Sequence, residues 1–237
     1  MRRALAAAAA MLLATACGGA SKPRTITVFA ASSLTNAFTA EAAAYQKQSG
    51  VHVRFSFAGS QDLVAQVNQG APADAVATAD TATLGKLTVH LAGSTAAFAR
   101  NQLVIVTAPG NPKHITTAAD LAKPGVVVVL AAPTVPAGKY AAKALASAHV
   151  TVHAKSLEDN VRGVLTKVEL GEADAGIVYV TDARSAGAKV DTVALPTSPV
   201  ATYPAVALDS NGQAFVDFLT SQAGQAILAR FGFLPPQ

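Results

Sequence analysis

Residues 25–61 read TITVFAASSLTNAFTAEAAAYQKQSGVHVRFSFAGSQ, and this stretch decides the fold class. Its first seven residues form a β-rich run that ends in small side chains. Phe38, Ala42 and Tyr45 then recur at the spacing that places them on one face of a helix over 35–48. Gly50 follows, and glycine commonly ends a helix. The stretch therefore begins with a strand and continues with a helix.

The same alternation continues with a second strand and a second helix. Residues 51–57 alternate as a strand, and a helix is predicted from 61 to 69, with Gly70 closing it. A short apolar strand follows at 75–78. Strands and helices in alternation are typical of an α/β layer built on a parallel sheet.

A second segment begins with the apolar run Asn101–Thr107. We expect the chain to leave one lobe near Arg100, to build a second lobe and to return near Thr197, so that two crossings form a hinge beside a cleft. The predicted fold is thus α/β, with two lobes, mixed sheets, helices on both faces and a ligand cleft between the lobes. The predicted limits are 25–101 with 198–237 for lobe I and 102–197 for lobe II. Within and after lobe II we predict strands at 126–130 and 176–179, helices at 139–147 and 159–170, a proline-spaced segment at 195–204 and a last helix at 213–230.

The composition excludes two classes of protein. Of the 237 residues, 51% are hydrophobic and 14% are charged, which is ample apolar material for a buried core and argues against disorder. The net charge is +4, but the basic residues are scattered and no aromatic stacking pattern accompanies them. We therefore expect no nucleic-acid partner.

The first residues have the pattern of an export signal. Arg2 and Arg3 precede the apolar run Ala4–Leu13, which is shorter than the ~20 residues that a membrane-spanning helix needs. Cys17, the only cysteine, follows small residues and has no partner for an internal disulfide. We predict a signal peptide over 1–16, a lipid-anchored tether over 17–24 and lipidation of Cys17 at the outer face of the cell membrane. The alternative is an ordinary signal peptide. It stays open because Leu13 lies four residues before the cysteine, whereas the leucine of the usual lipoprotein signal lies three residues before it.

Four turns between a strand and a helix share small or hydroxyl-bearing residues. The first backbone N–H groups of a helix have no partner within it, and this end carries about half a positive charge, so it can bind an anion without a formal cation. In an open α/β sheet such turns gather outside the carboxyl ends of the strands. The alternative is that these residues only cap their helices. The four turns are ASSL at 31–34, AGSQ at 58–61, VPAG at 135–138 and EDNV at 158–161.

Several blocks of the chain are similar to one family. The block ITVFAASSL at 26–34 resembles the opening strand and loop of the periplasmic molybdate-binding proteins of ABC transporters. Further blocks that resemble this family follow in order up to about Phe233. They are GAPAD at 70–74 with Ala79 and Asp80, VPAGKYA at 135–141, DNVR at 159–162 and GIVYVTDA at 176–183.

The resemblance implies a type II binding-protein fold that holds molybdate or tungstate between its lobes and delivers it to an ABC permease. It also implies a monomer without a cofactor and without protein ligands to a metal cation. The implied contacts are the hydroxyls of Ser33, Ser60 and Tyr179 and the backbone N–H groups of Ala137 and Val161. One departure concerns the turn before Val135, which is a residue shorter than in the family and has Ala132 where an acidic residue is common.

Other polar residues invite functional interpretations that the sequence does not favour. We expect Arg162 to point outward, Asp74 and Asp80 to serve turns and caps, and Tyr140 and Tyr203 to pack in the core or at the hinge. The histidines lack a metal-ligand spacing and are predicted at the surface. They are His52, His90, His114, His149 and His153.

Two alternatives remain open from the sequence. A binding protein of the same class could hold sulfate or a small organic anion, because sulfate has the same charge and shape as molybdate. An anchored enzyme such as a dehydratase could also use the cleft of a type II fold. The implied contacts include no His, Asp or Glu, and the chain has neither a Gly-x-Ser-x-Gly elbow nor a phosphate-binding loop, which favours a binding protein over an enzyme.

Overall fold

The structure is a computed structural model and describes residues 24–237. The predicted signal peptide, the predicted lipidation site Cys17 and all but the last residue of the predicted tether lie outside the described residues. Within 24–237, no helix is both long enough and apolar enough to cross a membrane.

The described chain contains ten strands and eight α-helices. The strands are β1 (Thr25–Ala31), β2 (His52–Ala58), β3 (Ala75–Ala77), β4 (Ala96–Asn101), β5 (Leu103–Thr107), β6 (Val128–Ala131), β7 (Ser156–Glu158), β8 (Ala175–Tyr179), β9 (Asp191–Ala194) and β10 (Ala201–Ala207). The helices are α1 (Thr35–Ser49), α2 (Ser60–Asn68), α3 (Thr81–Leu84), α4 (Pro136–Ser147), α5 (Val161–Glu169), α6 (Val180–Ala186), α7 (Ser210–Thr220) and α8 (Gln222–Arg230). Short 3-10 helices lie at Ser32–Leu34, Ala118–Ala122 and Gly187–Lys189.

The strands form two mixed sheets of five strands each. The first has the order β2-β1-β3-β10-β4, and the second has the order β7-β6-β8-β5-β9. In each sheet three strands are parallel, the next strand (β10 or β5) runs antiparallel to them, and the edge strand (β4 or β9) pairs antiparallel with that strand. The mixed α/β class predicted from the alternation of strands and helices is confirmed.

Each sheet and the helices packed on it form one lobe. The first lobe contains β1 to β4, β10, α1 to α3, α7 and α8, and the second lobe contains the elements from β5 to β9. The chain crosses between the sheets at 101–103 and again at 194–201. At these crossings the Leu103 N–H donates to the Ser198 hydroxyl at 2.9 Å, and the Asn101 amide donates to the Thr181 hydroxyl at 2.9 Å. The two crossings therefore lie side by side.

An aromatic cluster fixes α1 against the first sheet. The ring centroid of Phe38 lies 5.6 Å from those of Phe55 and Phe98 and 5.8 Å from that of Phe215. Phe38 is fully buried, and a buried phenylalanine stabilises a fold by about 1.5–3 kcal/mol. Because α1 begins directly after the 3-10 turn Ser32–Leu34, this packing also fixes the position of that turn.

The C-terminal region differs from the sequence prediction. The single helix predicted over 213–230 is two helices, because Ser221 is extended at φ −68° and ψ 162° and its hydroxyl accepts from the Gly224 N–H. The proline-spaced segment predicted over 195–204 ends in β10. Pro204 is tolerated there because the pairing with β4 shifts register between Tyr203 and Pro204.

Candidate functional site

One cavity lies between the two lobes at the carboxyl ends of β1, β2, β6 and β8. Its free volume is about 200 Å³, including the open mouth. Strands of both sheets end at this point, and the following turns face one another across it. The lining residues are Ala31, Ser32, Ser33, Ala58, Gly59, Ser60, Ala79, Val135, Pro136, Ala137, Asn160, Val161 and Tyr179.

Ser33 enters the cavity from the 3-10 turn between β1 and α1. It is only 4% exposed, and its hydroxyl lies 3.0 Å from the hydroxyl of Tyr203 on β10. Tyr203 is fully buried and therefore cannot exchange this contact for one with solvent. A side chain from the adjacent part of the same lobe thus orients the Ser33 hydroxyl.

Ser60 enters the cavity from the first turn of α2. Its hydroxyl oxygen accepts a hydrogen bond from the Ala79 N–H at 3.1 Å. A backbone N–H can only donate, so the Ser60 proton remains available for an acceptor in the cavity. Ser60 is 2% exposed and is positioned as a donor from the first lobe.

The second lobe contributes the N-terminus of α4. Pro136 is the first residue of this helix and Ala137 the second, so the Ala137 N–H has no acceptor within the helix. The preceding turn is closed by a hydrogen bond from the Val135 N–H to the Ala132 carbonyl at 2.9 Å. Gly138 packs against the Ala132 carbonyl so closely that a side chain at this position would overlap it. The short turn with Ala132 is thus tightly packed against the start of α4.

The N-terminus of α5 meets the same cavity. The side chain of Asn160 caps this helix by accepting from the Gly163 N–H at 3.1 Å. The cap satisfies the third N–H of the helix and leaves the N–H of Val161 without an intrahelical partner. Val161 is buried and lines the cavity.

Tyr179 is the last residue of β8 and lines the cavity from the second lobe. It is 1% exposed, and its hydroxyl has no hydrogen-bond partner among the described residues. A buried polar group without a partner costs about 1–3 kcal/mol. Burial raises the pKa of Tyr179 well above its ordinary value, so the hydroxyl keeps its proton. This unpartnered donor indicates that a ligand oxygen belongs in the cavity.

None of the described lining residues carries a charge, although two cations lie nearby. Lys139 is paired with Asp80 at 3.0 Å, and Arg162 Nε lies 2.8 Å from the fully buried Asp182. Burial raises the pKa of Asp182 to about 6, and the Arg162 charge opposes that rise. Both cations are therefore balanced by carboxylates, and neutral donors provide the cavity lining.

Polar contacts of the side chains of Gln61, Arg162 and Lys139 join the lobes around the cavity. The Gln61 amide donates to the Asp159 carbonyl at 2.8 Å, and Arg162 Nη2 donates to Asn36 Oδ1 at 2.7 Å. Lys139 also crosses the cleft, because α4 belongs to the second lobe and its partner Asp80 lies at the start of α3 in the first. The structure thus has its lobes in contact.

The family model of bacterial extracellular solute-binding proteins matches residues 26–234. The chain belongs to this family. Among curated relatives, the molybdate-binding protein ModA of Mycobacterium tuberculosis is 42% identical over 223 residues, which cover 90% of this chain and 85% of the relative. The resemblance to periplasmic molybdate-binding proteins found in the sequence is thereby confirmed.

Solved structures share the fold of this solute-binding protein. The periplasmic molybdate-binding protein of Azotobacter vinelandii has a TM-score of 0.75 and 22% identity, covering 90% of this chain and 100% of that one. The sulfate-binding protein SubI of Mycobacterium tuberculosis also has a TM-score of 0.75 and 22% identity, with 90% and 87% covered. At these identities the likeness shows the fold alone, and it confirms the two-lobed class.

The structure of this solute-binding protein brings together the five residues that the resemblance implied as contacts, since all of them line the one cavity. Sequence reasoning had not selected Ser32, Gly59, Ala79 or Asn160 as lining residues. Ser32, Gly59 and Asn160 lie in the turns already singled out as anion-binding helix starts, so the turn pattern could have found them. Ala79 lies outside these turns, although it belongs to a block that resembles the family.

Other predicted residues have mixed outcomes. The prediction for Arg162 was wrong, because its side chain reaches the buried Asp182 and the opposite lobe. Asp80 caps α3 as expected, by accepting from the Thr83 N–H. Tyr203 packs in the core as expected, but its hydroxyl also contacts a cavity residue. Asp74 accepts from the Thr27 N–H, and four histidines are exposed while His52 is half-buried.

Proposed function

We propose that this chain is an extracytoplasmic solute-binding protein that captures molybdate or tungstate between its lobes and delivers it to an ABC permease. The observation that carries the proposal is the cavity lined by uncharged donors from four separate turns together with the unpartnered hydroxyl of Tyr179. The proposed contacts are Ser33, Ser60, Ala137, Val161 and Tyr179. The identity to molybdate-binding relatives supports the choice of ligand.

Neutral donors suit a tetrahedral dianion in a closed cleft. A charged partner would have to lose its own hydration, at a cost of several kcal/mol. Hydroxyl and backbone donors avoid that cost, and hydrogen bonds to a charged group still contribute about 1.5–3 kcal/mol each. A lining without carboxylates also offers no charged acceptor for the hydroxyl of monohydrogen phosphate, which favours fully deprotonated oxyanions.

The test is calorimetry with molybdate, tungstate, sulfate and phosphate on wild type, Ser33→Ala, Ser60→Ala and the double variant. We expect each single substitution to weaken molybdate binding by about tenfold to a hundredfold, because each removes one charge-assisted hydrogen bond. Ser147→Ala, an exposed serine at the end of α4, is the matched control. Unchanged molybdate affinity in the double variant would contradict the site.

Sulfate is the second candidate, because it has the same charge and tetrahedral shape and the fold also occurs in a sulfate-binding protein. The bonds from sulfur to oxygen in sulfate are shorter than the bonds from molybdenum to oxygen in molybdate. The size of the cavity therefore decides which of the two ions fits. At a given concentration, a ligand that binds more tightly raises the melting temperature more, because the stabilisation grows with the logarithm of concentration over Kd. A larger thermal shift with sulfate than with molybdate at equal concentration would assign the site to sulfate.

We further propose that the protein binds its ligand without turnover. Among the described lining residues there is no carboxylate and no imidazole to act as a general base. Conversion of a small organic anion by the purified protein would contradict this and would favour the dehydratase alternative.

The proposed transport role includes a lipid anchor, a monomer and a hinge. Cys17 would carry the acyl chains and 17–24 would form the tether, so that Cys17→Ser releases the protein from the membrane fraction. The hinge would lie at the two chain crossings, between lobe I over 25–101 and 198–237 and lobe II over 102–197. Metabolic labelling with palmitate tests the anchor, and light scattering tests the monomer.

A further inference from the structure

Tyr203 and Ser33 form a buried pair of hydroxyls in which the direction of the hydrogen bond is open. The two oxygens lie 3.0 Å apart, and either one can donate. Ser33 lines the cavity, whereas Tyr203 lies behind it on β10, fully buried against Tyr179, Phe98 and Phe233. The direction decides whether Ser33 presents a proton or lone pairs to the cavity.

Ser60 shows what the site requires of its serine on the other turn. Its oxygen accepts from the Ala79 N–H, which has no acceptor capacity, so its proton can only go elsewhere. For Ser33 likewise to direct its proton into the cavity, its oxygen must accept the hydrogen bond from the Tyr203 hydroxyl. If Ser33 instead donated to Tyr203, its lone pairs would face the oxygens of a dianion, and that contact would be repulsive.

The surroundings of Tyr203 favour its role as the donor. The side-chain oxygen of Asn101 already accepts from the Gln102 N–H at 3.0 Å, and Asp182 is already paired with Arg162, whose Nε lies 2.8 Å from Oδ1. Burial, followed by the charge of Asp182, holds the pKa of Tyr203 far above its ordinary value, so the hydroxyl stays protonated. The Ser33 oxygen lies within hydrogen-bond distance of that hydroxyl, at 3.0 Å.

We propose that Tyr203 is a positioning residue that makes Ser33 an obligate hydrogen-bond donor and thereby selects against oxyanions that carry a proton. The proposal rests on the proposed function. A chain of hydrogen bonds from Tyr203 through Ser33 to the anion polarises each link in the same direction. Without the phenol, the Ser33 hydroxyl can rotate and expose a lone pair, which can accept the proton of monohydrogen phosphate.

The test is Tyr203→Phe, which removes the hydroxyl and keeps the ring. Calorimetry should show a fivefold to thirtyfold rise in the molybdate Kd, with those limits corresponding to about 1–2 kcal/mol. The phosphate Kd, measured at mildly alkaline pH, should stay the same or fall, so that the preference for molybdate over phosphate narrows by at least the same factor. Tyr45→Phe is the matched control, because Tyr45 is buried in the first lobe among Phe215 and Phe218, away from the cavity.

A double-substitution cycle separates positioning from general damage to the fold. In the Ser33→Ala background, Tyr203→Phe should cause no further loss of molybdate affinity, because the hydroxyl that it orients is already absent. Equal losses in both backgrounds, or an unchanged preference over phosphate, would overturn the proposal. If wild type binds no molybdate at all, the proposed function fails. If wild type binds it and the cycle shows no coupling, only the role of Tyr203 fails.

Discussion

At the scale of single residues, the site depends on where a hydroxyl proton can point. Ser60 is oriented by a backbone N–H, and Ser33 is oriented by a phenol. Tyr179 differs from both, because its hydroxyl has no partner among the described residues although it is almost fully buried. Such a hydroxyl is satisfied when a ligand in the cavity accepts its proton.

Tyr179→Phe should therefore weaken binding and leave stability unchanged. We expect the molybdate affinity to fall by about tenfold to a hundredfold, because a charge-assisted hydrogen bond is lost. The melting temperature of the ligand-free protein should be unchanged, because the hydroxyl makes no hydrogen bond within the fold. Calorimetry and thermal melting measure the two effects. A large drop in the ligand-free melting temperature would show that the hydroxyl serves the fold.

At the scale of elements, short turns place the starts of helices at the ends of strands. β1 runs into the Ser32 turn and α1, β2 leads to α2, and α4 and α5 each follow a strand of the second sheet. The starts of these helices meet at the cavity because parallel strands end at the same edge of a sheet, and Ala137 and Val161 there have N–H groups without an intrahelical partner. The packing of each helix elsewhere holds its first turn in place, as Phe38 does for α1.

α1 also carries a buried carboxyl that makes its packing depend on pH. Glu41 is fully buried and neither carboxyl oxygen has a hydrogen-bond partner among the described residues. Burial raises its pKa from 4.5 to about 8, and the nearby Arg230 charge opposes that rise only partly. The folded state thus holds a proton that the unfolded state releases. The contribution of Glu41 to stability is fully present below pH 4.5 and is lost as the pH rises through about 8.

Glu41→Gln should remove this dependence, because the amide cannot ionise. We expect the variant to melt higher than wild type above the raised pKa and to approach wild type towards acidic pH. Melting curves across the pH range measure the effect, with the exposed Glu172→Gln as the control. A constant difference between the variant and wild type at all pH values would contradict a buried, protonated Glu41.

At the scale of the whole molecule, the two lobes approach each other through backbone as well as side chains. Gly59 caps α2 in the first lobe and lies directly against the Asp159 carbonyl of the second. A methyl group at this position would overlap that carbonyl. The backbone at Gly59, with φ −60° and ψ 137°, is itself acceptable to alanine. A methyl group would also meet the Gln61 amide and the Asp62 carboxylate of the same turn, but these are the ends of flexible side chains, so the fixed obstacle is the carbonyl of the opposite lobe.

Gly59→Ala should impair closure and leave each lobe folded. We expect the molybdate Kd to rise by at least about tenfold, because the ligand must then bind lobes that cannot meet. Small-angle scattering should show less compaction on adding molybdate than in wild type. Gly85→Ala is the control, because a methyl there has its nearest contact at 3.4 Å. If Gly59→Ala binds molybdate with wild-type affinity and compacts as wild type does, then closure does not depend on the contact of Gly59 with the Asp159 carbonyl.

Much of the first lobe could be predicted from the sequence because its signals are local. The strand at 25–31, the helix that Gly50 ends and the strand–helix alternation depend on periodicity and helix-ending residues, which neighbouring residues decide. The break at Ser221 was missed because serine also occurs within helices. Here its hydroxyl accepts from the Gly224 N–H and so caps the start of α8. The strand β10 was missed because Pro204 normally argues against a strand and only the register shift with β4 permits it.

By itself, the sequence determined the α/β class, the turns with small and hydroxyl residues, and the family. These properties follow from patterns among neighbouring residues and from sequence segments that resemble the family. Only the tertiary structure decided that the side chain of Arg162 points to Asp182 and Asn36, that Tyr203 lies behind Ser33 and that the hydroxyl of Tyr179 has no partner. Ser33 and Tyr203 are 170 residues apart in the chain. No local pattern encodes the direction of their hydrogen bond, because it depends on which groups the packed lobes bring within 3 Å of each other.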